Sequence, residues 1–475
     1  MLESLHLRNL KSFRDSGEIP LRPITVLAGP NSTGKSSVLQ ALLLLKQTLE
    51  SEVSASHLVL DGRYLQFSAF NDLAFDRPPI SRAEIEVTAV VSGAMNASDV
   101  RPYHEDWPTH ATRDWAPYEA ELTWRFRFMK ISDIKSDVVV SSFGERIKVF
   151  GLEGTAAMTR LPIAKRYQVE LGHIRLGSEY PGRTITGAGF RHFLPDHLLL
   201  QPGSHSVPGG TTLAPLPAPV AIPLADLRDT LEHGVNYLGP LRDEPRRAYL
   251  HSGLGLPQIG QRGEFAAQVL WLEKSAVVPY RPSPEGGMEE APLLEAVNDA
   301  FARLGVHQKV SVQSDKSVMY QLLFGLRGDD SKHVTIADVG FGVSQLLPVI
   351  VLTLRSPAPS LLLFEQPEIH LHPRLQANLA DFFIAASSMD KRVLIETHSD
   401  HFINRLRRRI AEDQTDELRE RVSILFVEPS DGGARIDPLE IDQFGVIQNW
   451  PPEFLPEAAD EAEAIIRAGL AKRRR

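Results

Sequence analysis

Residues 22 to 46 read RPITVLAGPNSTGKSSVLQALLLLK, and their hydrophobic period changes halfway along. Ile24, Val26 and Leu27 predict a short buried strand, whereas Val38, Leu39, Ala41, Leu42 and Leu45 recur at helical spacing. Between them lies Gly29-Pro30-Asn31-Ser32-Thr33-Gly34-Lys35-Ser36-Ser37, a G-x-x-x-x-G-K-S loop in the strand, loop, helix context that this motif requires. Gly29 and Gly34 permit backbone conformations closed to residues with side chains, so successive N–H groups can turn inward on an anion. The helix that follows adds the positive end of its dipole. In such a loop Lys35 is placed to reach phosphate oxygens, and the Ser36 hydroxyl to join the shell of a Mg2+ ion held mainly by phosphate and water.

A phosphate loop needs an acidic strand beside it, and residues 360 to 373, SLLLFEQPEIHLHP, supply one. The continuous apolar run Leu361 to Phe364 is expected of a central parallel strand buried on both faces. Glu365 falls at its C-terminal edge, where ligands bind in open α/β sheets. A second apolar run, Val393-Leu394-Ile395, ends in Glu396-Thr397-His398-Ser399, where a histidine is placed to sense a terminal phosphate. Just before the acidic strand, Gly340 and Gly342 open an apolar helix with Ser344 and Gln345 near its start, another N-terminus suited to phosphate.

Composition narrows the rest. The 51 Lys plus Arg against 60 Asp plus Glu leave a formal charge of −9, which argues against coating nucleic acid by bulk charge and leaves local basic patches as the alternative. With no cysteine, disulfides, thiolate zinc sites and cysteine nucleophiles are excluded, and a cytoplasmic setting is expected. The N-terminal MLESLHLRNLKSF mixes charge with apolar residues and lacks the order of a secretory signal. The longest uncharged stretch, Pro202 to Ala225, carries six prolines, a density no membrane helix sustains, so a loop is expected and no membrane partner.

The order of these segments, together with YLGPLRDEPRRAY at 237 to 249, ETHSDHFINR at 396 to 405 and IDQFGVIQNWPPEF at 441 to 454, resembles the ABC-type ATPase heads of the SMC, RecF and OLD group. More narrowly it is similar to bacterial AAA-family ATPases that join such a head to a short C-terminal domain of unknown function, without the Toprim nuclease domain of the OLD proteins. The resemblance implies an α/β fold: an ABC-type P-loop ATPase head with a mixed and parallel sheet, an inserted antiparallel β-rich lobe and a short α+β C-terminal extension. The head would span 1–75 and 235–420, the lobe and Pro-rich loop 76–234, and the extension 421–475.

Carried onto this chain, the resemblance makes Gly29 to Ser37 the Walker A loop, Glu365 the Walker B carboxylate on the metal side, and His398 the switch histidine. Gly342, Ser344 and Gln345 would form a degenerate signature that closes over the nucleotide of a partner. ATP and Mg2+ are the implied ligands, with Mg2+ held by Ser36 and Glu365, and a head-to-head dimer or larger assembly is the implied state. Gln66 is a weak match to the glutamine loop. One position departs from the pattern: ABC heads place a water-polarising glutamate right after the metal-side acid, and here that residue is Gln366. An amide orients water but accepts no proton, so slow hydrolysis is expected, or else Glu368 supplies the carboxylate.

Between the two ends, AEIEVTAVV, EAELTWRFRF, VVVSSF, RIKVFGL and RYQVELGHIRL alternate apolar with polar and predict antiparallel hairpins. No heptad is sustained, so no long coiled-coil arm is expected. Lys11 and Arg14 are either near the nucleotide or exposed on an edge strand, and Arg242 either faces a phosphate or nucleotide or forms a structural salt bridge. Arg405, Arg407, Arg408 and Arg409, with the tail Lys472 to Arg475, are candidate contacts for nucleic acid or simply a solvated face. His370, His372, His398 and His401 lack the cysteine or acidic cluster that a zinc site would add. The family neighbourhood points to antiphage defence, with an effector nuclease or toxin on a separate protein. The alternatives are a RecF-like DNA-repair ATPase and a nucleotide-binding scaffold with little catalysis.

Overall fold

Leu361, Leu362, Leu363 and Phe364 are all buried, and the strand they form, Ser360–Glu365, lies inside a parallel stack. Its neighbours are Val235–Leu238 on one side and Lys391–Glu396 on the other. The phosphate-loop strand Ile24–Ala28 pairs next to Lys391–Glu396, and Val422–Ser430 follows, every one of these pairings parallel. The sheet then turns antiparallel through Gly433–Pro438, Phe13–Pro20, Leu2–Leu10, Glu84–Asn96, Trp115–Lys130, Ser136–Val149, Leu152–Arg160 and Tyr167–Gly172. This computed structural model describes residues 1–52, 57–103, 114–130, 136–161, 166–176, 180–202, 210–250, 258–315, 319–326 and 329–451.

Alternation along the parallel strands divides the core in two. Leu361 and Leu363 join Leu27, Leu394 and Leu425 beneath the helix Lys35–Leu49, while Leu362 and Phe364 join Ile24, Val26 and Ile395 on the opposite face. There they meet the helices Leu293–Leu304, Phe341–Arg355, Pro373–Ser387 and Asp400–Glu412. A strand buried on both sides has no polar face to present, which is why these segments read as unbroken apolar runs. The fold is thus the mixed α/β head expected, with its antiparallel part continuous with the parallel one.

Several segments differ from their sequence reading. The stretch from 421 was expected to begin a separate extension, but Val422–Ser430 pairs directly with Ile24–Ala28 and so completes the head sheet. The stretch Pro202 to Ala225 was expected to be a loop, but its last residues belong to the helix Ala218–Asp229. Pro219 sits in the first turn, where no intrahelical N–H is needed, whereas Pro223 lies inside the helix, where the missing N–H leaves the Pro219 carbonyl without its i→i−4 donor. VVVSSF and RIKVFGL merge into the single strand Ser136–Val149, because Gly144 passes through with open space around its Cα. Val59 to Leu65 is not a strand: the side chain of Gln47 on the first helix binds the backbone of Val59, Tyr64 and Leu65 and holds the segment in a turn. The expected charged helix after residue 455 and the basic tail lie outside the described residues.

One residue of the lobe is out of keeping with its surroundings. Glu145, opposite Leu122 and Ala156, is 4% exposed, and neither carboxylate oxygen has a hydrogen-bond partner among the described residues. Burial pushes its carboxyl well above the ordinary range, so the folded state holds it protonated while the unfolded state ionises above about pH 4.5. Its cost therefore grows as pH rises from there. Glu145→Leu is expected to raise the unfolding free energy by ~1–3 kcal/mol at pH 8 in a urea titration, with the gain shrinking toward pH 4.5.

Candidate functional site

The phosphate loop is shaped by the strand Val422–Ser430 packed against its base. Gly29 has φ 135°, and a Cβ there would lie 2.2 Å from the carbonyl oxygen of Val427. Gly34 has φ 105° and would meet the Ser12 side chain at 2.6 Å. Only glycine fits either place. Pro30, Asn31 and Ser32 form the exposed rim, with Ser32 itself left-handed, and Thr33 ties the loop by donating to the Pro30 carbonyl. Ser37 closes the first helical turn through its N–H to Gly34.

Lys35 is buried, and its ammonium donates to the carbonyls of Gly29 and Pro30. Burial lowers its pKa, while Glu396 works in the opposite direction. The Ser36 hydroxyl donates to Glu396 Oε2 at 2.7 Å. Glu365 Oε1 instead accepts from the Tyr237 hydroxyl at 2.8 Å. Glu365 and Glu396 are register partners on adjacent parallel strands, so both carboxylates sit at the same edge of the sheet as the loop. Burial pushes the Glu365 carboxyl up to about 7, Tyr237 pulls it down, and the neighbouring Glu396 raises it further. Burial also raises Glu396, against the pull of Ser36 and Lys35.

These residues fit a phosphate and a divalent cation. An ammonium satisfied only by carbonyls of its own loop can turn to an anion, and among the described residues neither Glu365 nor Glu396 is in an ion pair. Two buried carboxylates beside a serine hydroxyl form an oxygen donor set of the kind that hard cations take. Lys35, Ser36, Glu365 and Glu396 would hold the groups, and a bound Mg2+ would supply positive charge against the phosphate oxygens.

The other predicted residues occupy the turn after Glu365. Gln366 is left-handed at φ 44°, and its N–H continues the ladder to the Glu396 carbonyl at 2.7 Å. Glu368 is 6% exposed, accepts from the backbone N–H of His398 at 2.9 Å, and its other oxygen is buried without a partner. It is thus occupied in holding the histidine segment. The His398 ring is exposed, with burial of its inner side and the charge of Lys35 both lowering its pKa. Arg242 is buried; its guanidinium donates to the carbonyls of Pro240, Glu365 and Gln366, and burial lowers its pKa to about 10. Neither open reading is met: among the described residues Arg242 forms no salt bridge, and its partners are backbone carbonyls.

The helix start at 340 lies elsewhere. A Cβ on Gly342 would meet the His370 carbonyl at 2.8 Å, so the helix packs on the turn beyond Glu368, and Ser344 and Gln345 are buried within the protomer. The ammonium of Lys11 sits 4.0 Å above the Phe67 ring, while Arg14 and Gln66 are exposed. The basic run is engaged internally: Arg405 and Arg409 both bind Asp381 at 2.7 Å, Arg408 binds Glu412, and Arg407 donates to the Gly445 carbonyl beneath Trp450. Such pairing removes most of the free positive charge that a phosphate backbone would require. His372 caps the helix Pro373–Ser387, its ring nitrogen accepting from the Arg374 N–H.

Two residues of the site were missed in the sequence. Glu396 had the same signal as Glu365, an acid closing an apolar strand, but the histidine after it drew the assignment. Tyr237 had no signal, since nothing local places it against a residue 128 positions away.

Residues 1–87 match the family described as "AAA ATPase domain", and residues 244–404 match "AAA domain, putative AbiEii toxin, Type IV TA system". No curated protein matches. Among solved structures, an SMC head bound to the C-winged helix domain of ScpA is similar at 14% identity, with 93% of this chain and 98% of that one covered and a TM-score of 0.45. The SMC head domain from Thermotoga maritima is 12% identical over 93% and 99%, with a TM-score of 0.40. A Pyrococcus furiosus Smc head with an extended coiled coil, bound to the C-terminal domain of ScpA, is 13% identical over 98% and 99%, at 0.42.

Gly29→Ala is expected to destabilise the fold by more than ~1 kcal/mol in a denaturant titration, since both φ and the Val427 carbonyl oppose a methyl group there. Gly432→Ala, with open space around it, is expected to stay within about 0.5 kcal/mol of wild type.

Proposed function

The chain is an ABC-type AAA ATPase, and from that premise we propose that it works as a slow nucleotide-gated switch that controls a separate effector protein. ATPases of this type bind ATP and typically Mg2+. The roles carried onto Lys35, Ser36, Glu365 and His398 are supported by their convergence at one edge of the parallel sheet.

The observation that carries the slow-switch reading is the state of the two candidate bases. Gln366 is an amide, and Glu368 is turned inward onto the His398 N–H. Neither is free to take a proton from an attacking water, so the occupied state would persist. His398 is well placed to report that state: its ring lies beside Lys35, and its backbone is tied through Glu368 to the turn after Glu365. A change of charge at Lys35 would be felt along that path. ATP closing two heads together would turn occupancy into assembly. The family matched at 244–404 is described with a putative AbiEii toxin of a type IV TA system, and the role proposed for this chain is in antiphage defence, with the effector on a separate protein.

Steady-state turnover tests this. The wild-type rate is expected below ~1 s−1, the low end for enzymes. Gln366→Glu is expected to raise it by at least about tenfold, and Lys35→Ala to abolish it. Glu368→Gln is expected to lower turnover by loosening the His398 segment. A fast wild-type rate unmoved by Gln366→Glu and Glu368→Gln would remove the proposal. Sedimentation with a non-hydrolysable ATP analogue is expected to show a doubled mass or a multiple of it.

A further inference from the structure

Ser36 and Glu365 were paired in the sequence reading as the two protein ligands on the metal side, yet in the structure their side chains have different partners. Glu365 reaches toward the sheet edge, where Tyr237 donates to Oε1. The Ser36 hydroxyl donates to Glu396, which ends the strand lying between the acidic strand and the phosphate-loop strand. Glu396 is 5% exposed and is therefore largely withdrawn from bulk water. Its register neighbours are Leu27 on one side, two residues before the loop glycine, and Glu365 on the other. A buried carboxylate so placed has two tasks within reach: it opposes Lys35, and it orients the Ser36 hydroxyl of the loop.

A hydroxyl that donates its proton to a carboxylate presents its lone pairs elsewhere and becomes a better oxygen ligand. We propose that Glu396 is a positioning residue for the divalent cation, acting through Ser36, and that it completes with Glu365 a two-carboxylate cradle that neither residue forms alone. The ligand is a hard divalent cation of the Mg2+ class, bound together with a nucleotide phosphate. This rests on the nucleotide reading above. The chain thereby carries, one strand over, a second acid near the loop while position 366 is neutral.

The test is the Mg2+-dependent gain in nucleotide affinity, taken as the Kd of a fluorescent ATP analogue in EDTA divided by its Kd in Mg2+, which needs no turnover. Glu396→Gln is expected to reduce that gain by about tenfold or more, with the affinity in EDTA kept or improved. Glu396→Asp, which keeps the charge but withdraws it by one methylene, is expected to lose several-fold, and it stands in should the glutamine variant fail to fold. In the double-mutant cycle, Ser36→Ala with Glu396→Gln is expected to lose no more than Ser36→Ala alone, because both changes break one unit. A wild-type Mg2+ gain in both Glu396 variants, or losses that multiply independently in the cycle, would overturn the proposal. If the nucleotide reading itself is wrong, the signature is separate: wild type and Lys35→Ala would bind the analogue equally.

Discussion

Everything at the site hangs on the parallel register that sets Leu27, Glu396 and Glu365 level with one another across three adjacent strands. Parallel strands all end at the same edge, and the backbone groups freed there have no further ladder to join. The chain uses those groups: the Gln366 N–H goes to the Glu396 carbonyl, the Thr397 N–H goes to the Leu27 carbonyl, and Arg242 collects the carbonyls of Glu365 and Gln366. The side chain of Glu396, which closes one of the strands, is then held within hydrogen-bonding distance of the loop. A shift of one residue in any of these strands would turn its terminal acid to the other face of the sheet.

That edge concentrates charge where water is scarce. Lys35, Arg242, Glu365, Glu368 and Glu396 are all largely buried, and each is displaced from its ordinary titration range toward the neutral form, Glu365 to about 7 and Arg242 to about 10. Most are satisfied by carbonyls, hydroxyls or N–H groups in place of full opposite charges. Partners of that kind hold a group in position without neutralising it. The site keeps its field available, and an anion with a cation would satisfy both halves at once. The arginines at 405 to 409 follow the opposite rule: three of the four are paired with carboxylates, and two of these, Arg405 and Arg409, bridge to Asp381 on the neighbouring helix.

Much of this was legible locally. The change of period around Gly29 to Ser36 announced a strand, a loop and a helix, and the run Leu361 to Phe364 announced a central strand, because a segment's own burial pattern is written in its own residues. Legibility failed where a role depended on a distant partner. Glu368 looked like a spare acid, and only its contact with the His398 N–H shows it occupied. The arginine run looked like a basic patch, and its acids come from Asp381, Glu285 and Glu412, the first two far away in the sequence. Pro219 and Pro223 looked like breakers, yet Pro219 falls in the first turn of a helix, where proline is compatible, and Pro223 is accommodated in its buried interior.

The sequence by itself determined that this protein has a phosphate loop, an acidic strand and a histidine-ended strand, since motif residues and hydrophobic period are properties of short segments. Only the tertiary structure decided which carboxylate faces Ser36 and which strand shapes the loop. Glu396 and Glu365 end apolar strands of the same kind, and what separates them is the order of strands in the sheet. Gly29 needs to be glycine partly because the Val427 carbonyl, nearly four hundred residues later, lies where its side chain would be. Strand order and close approach arise from packing over the whole chain, and no local window contains them.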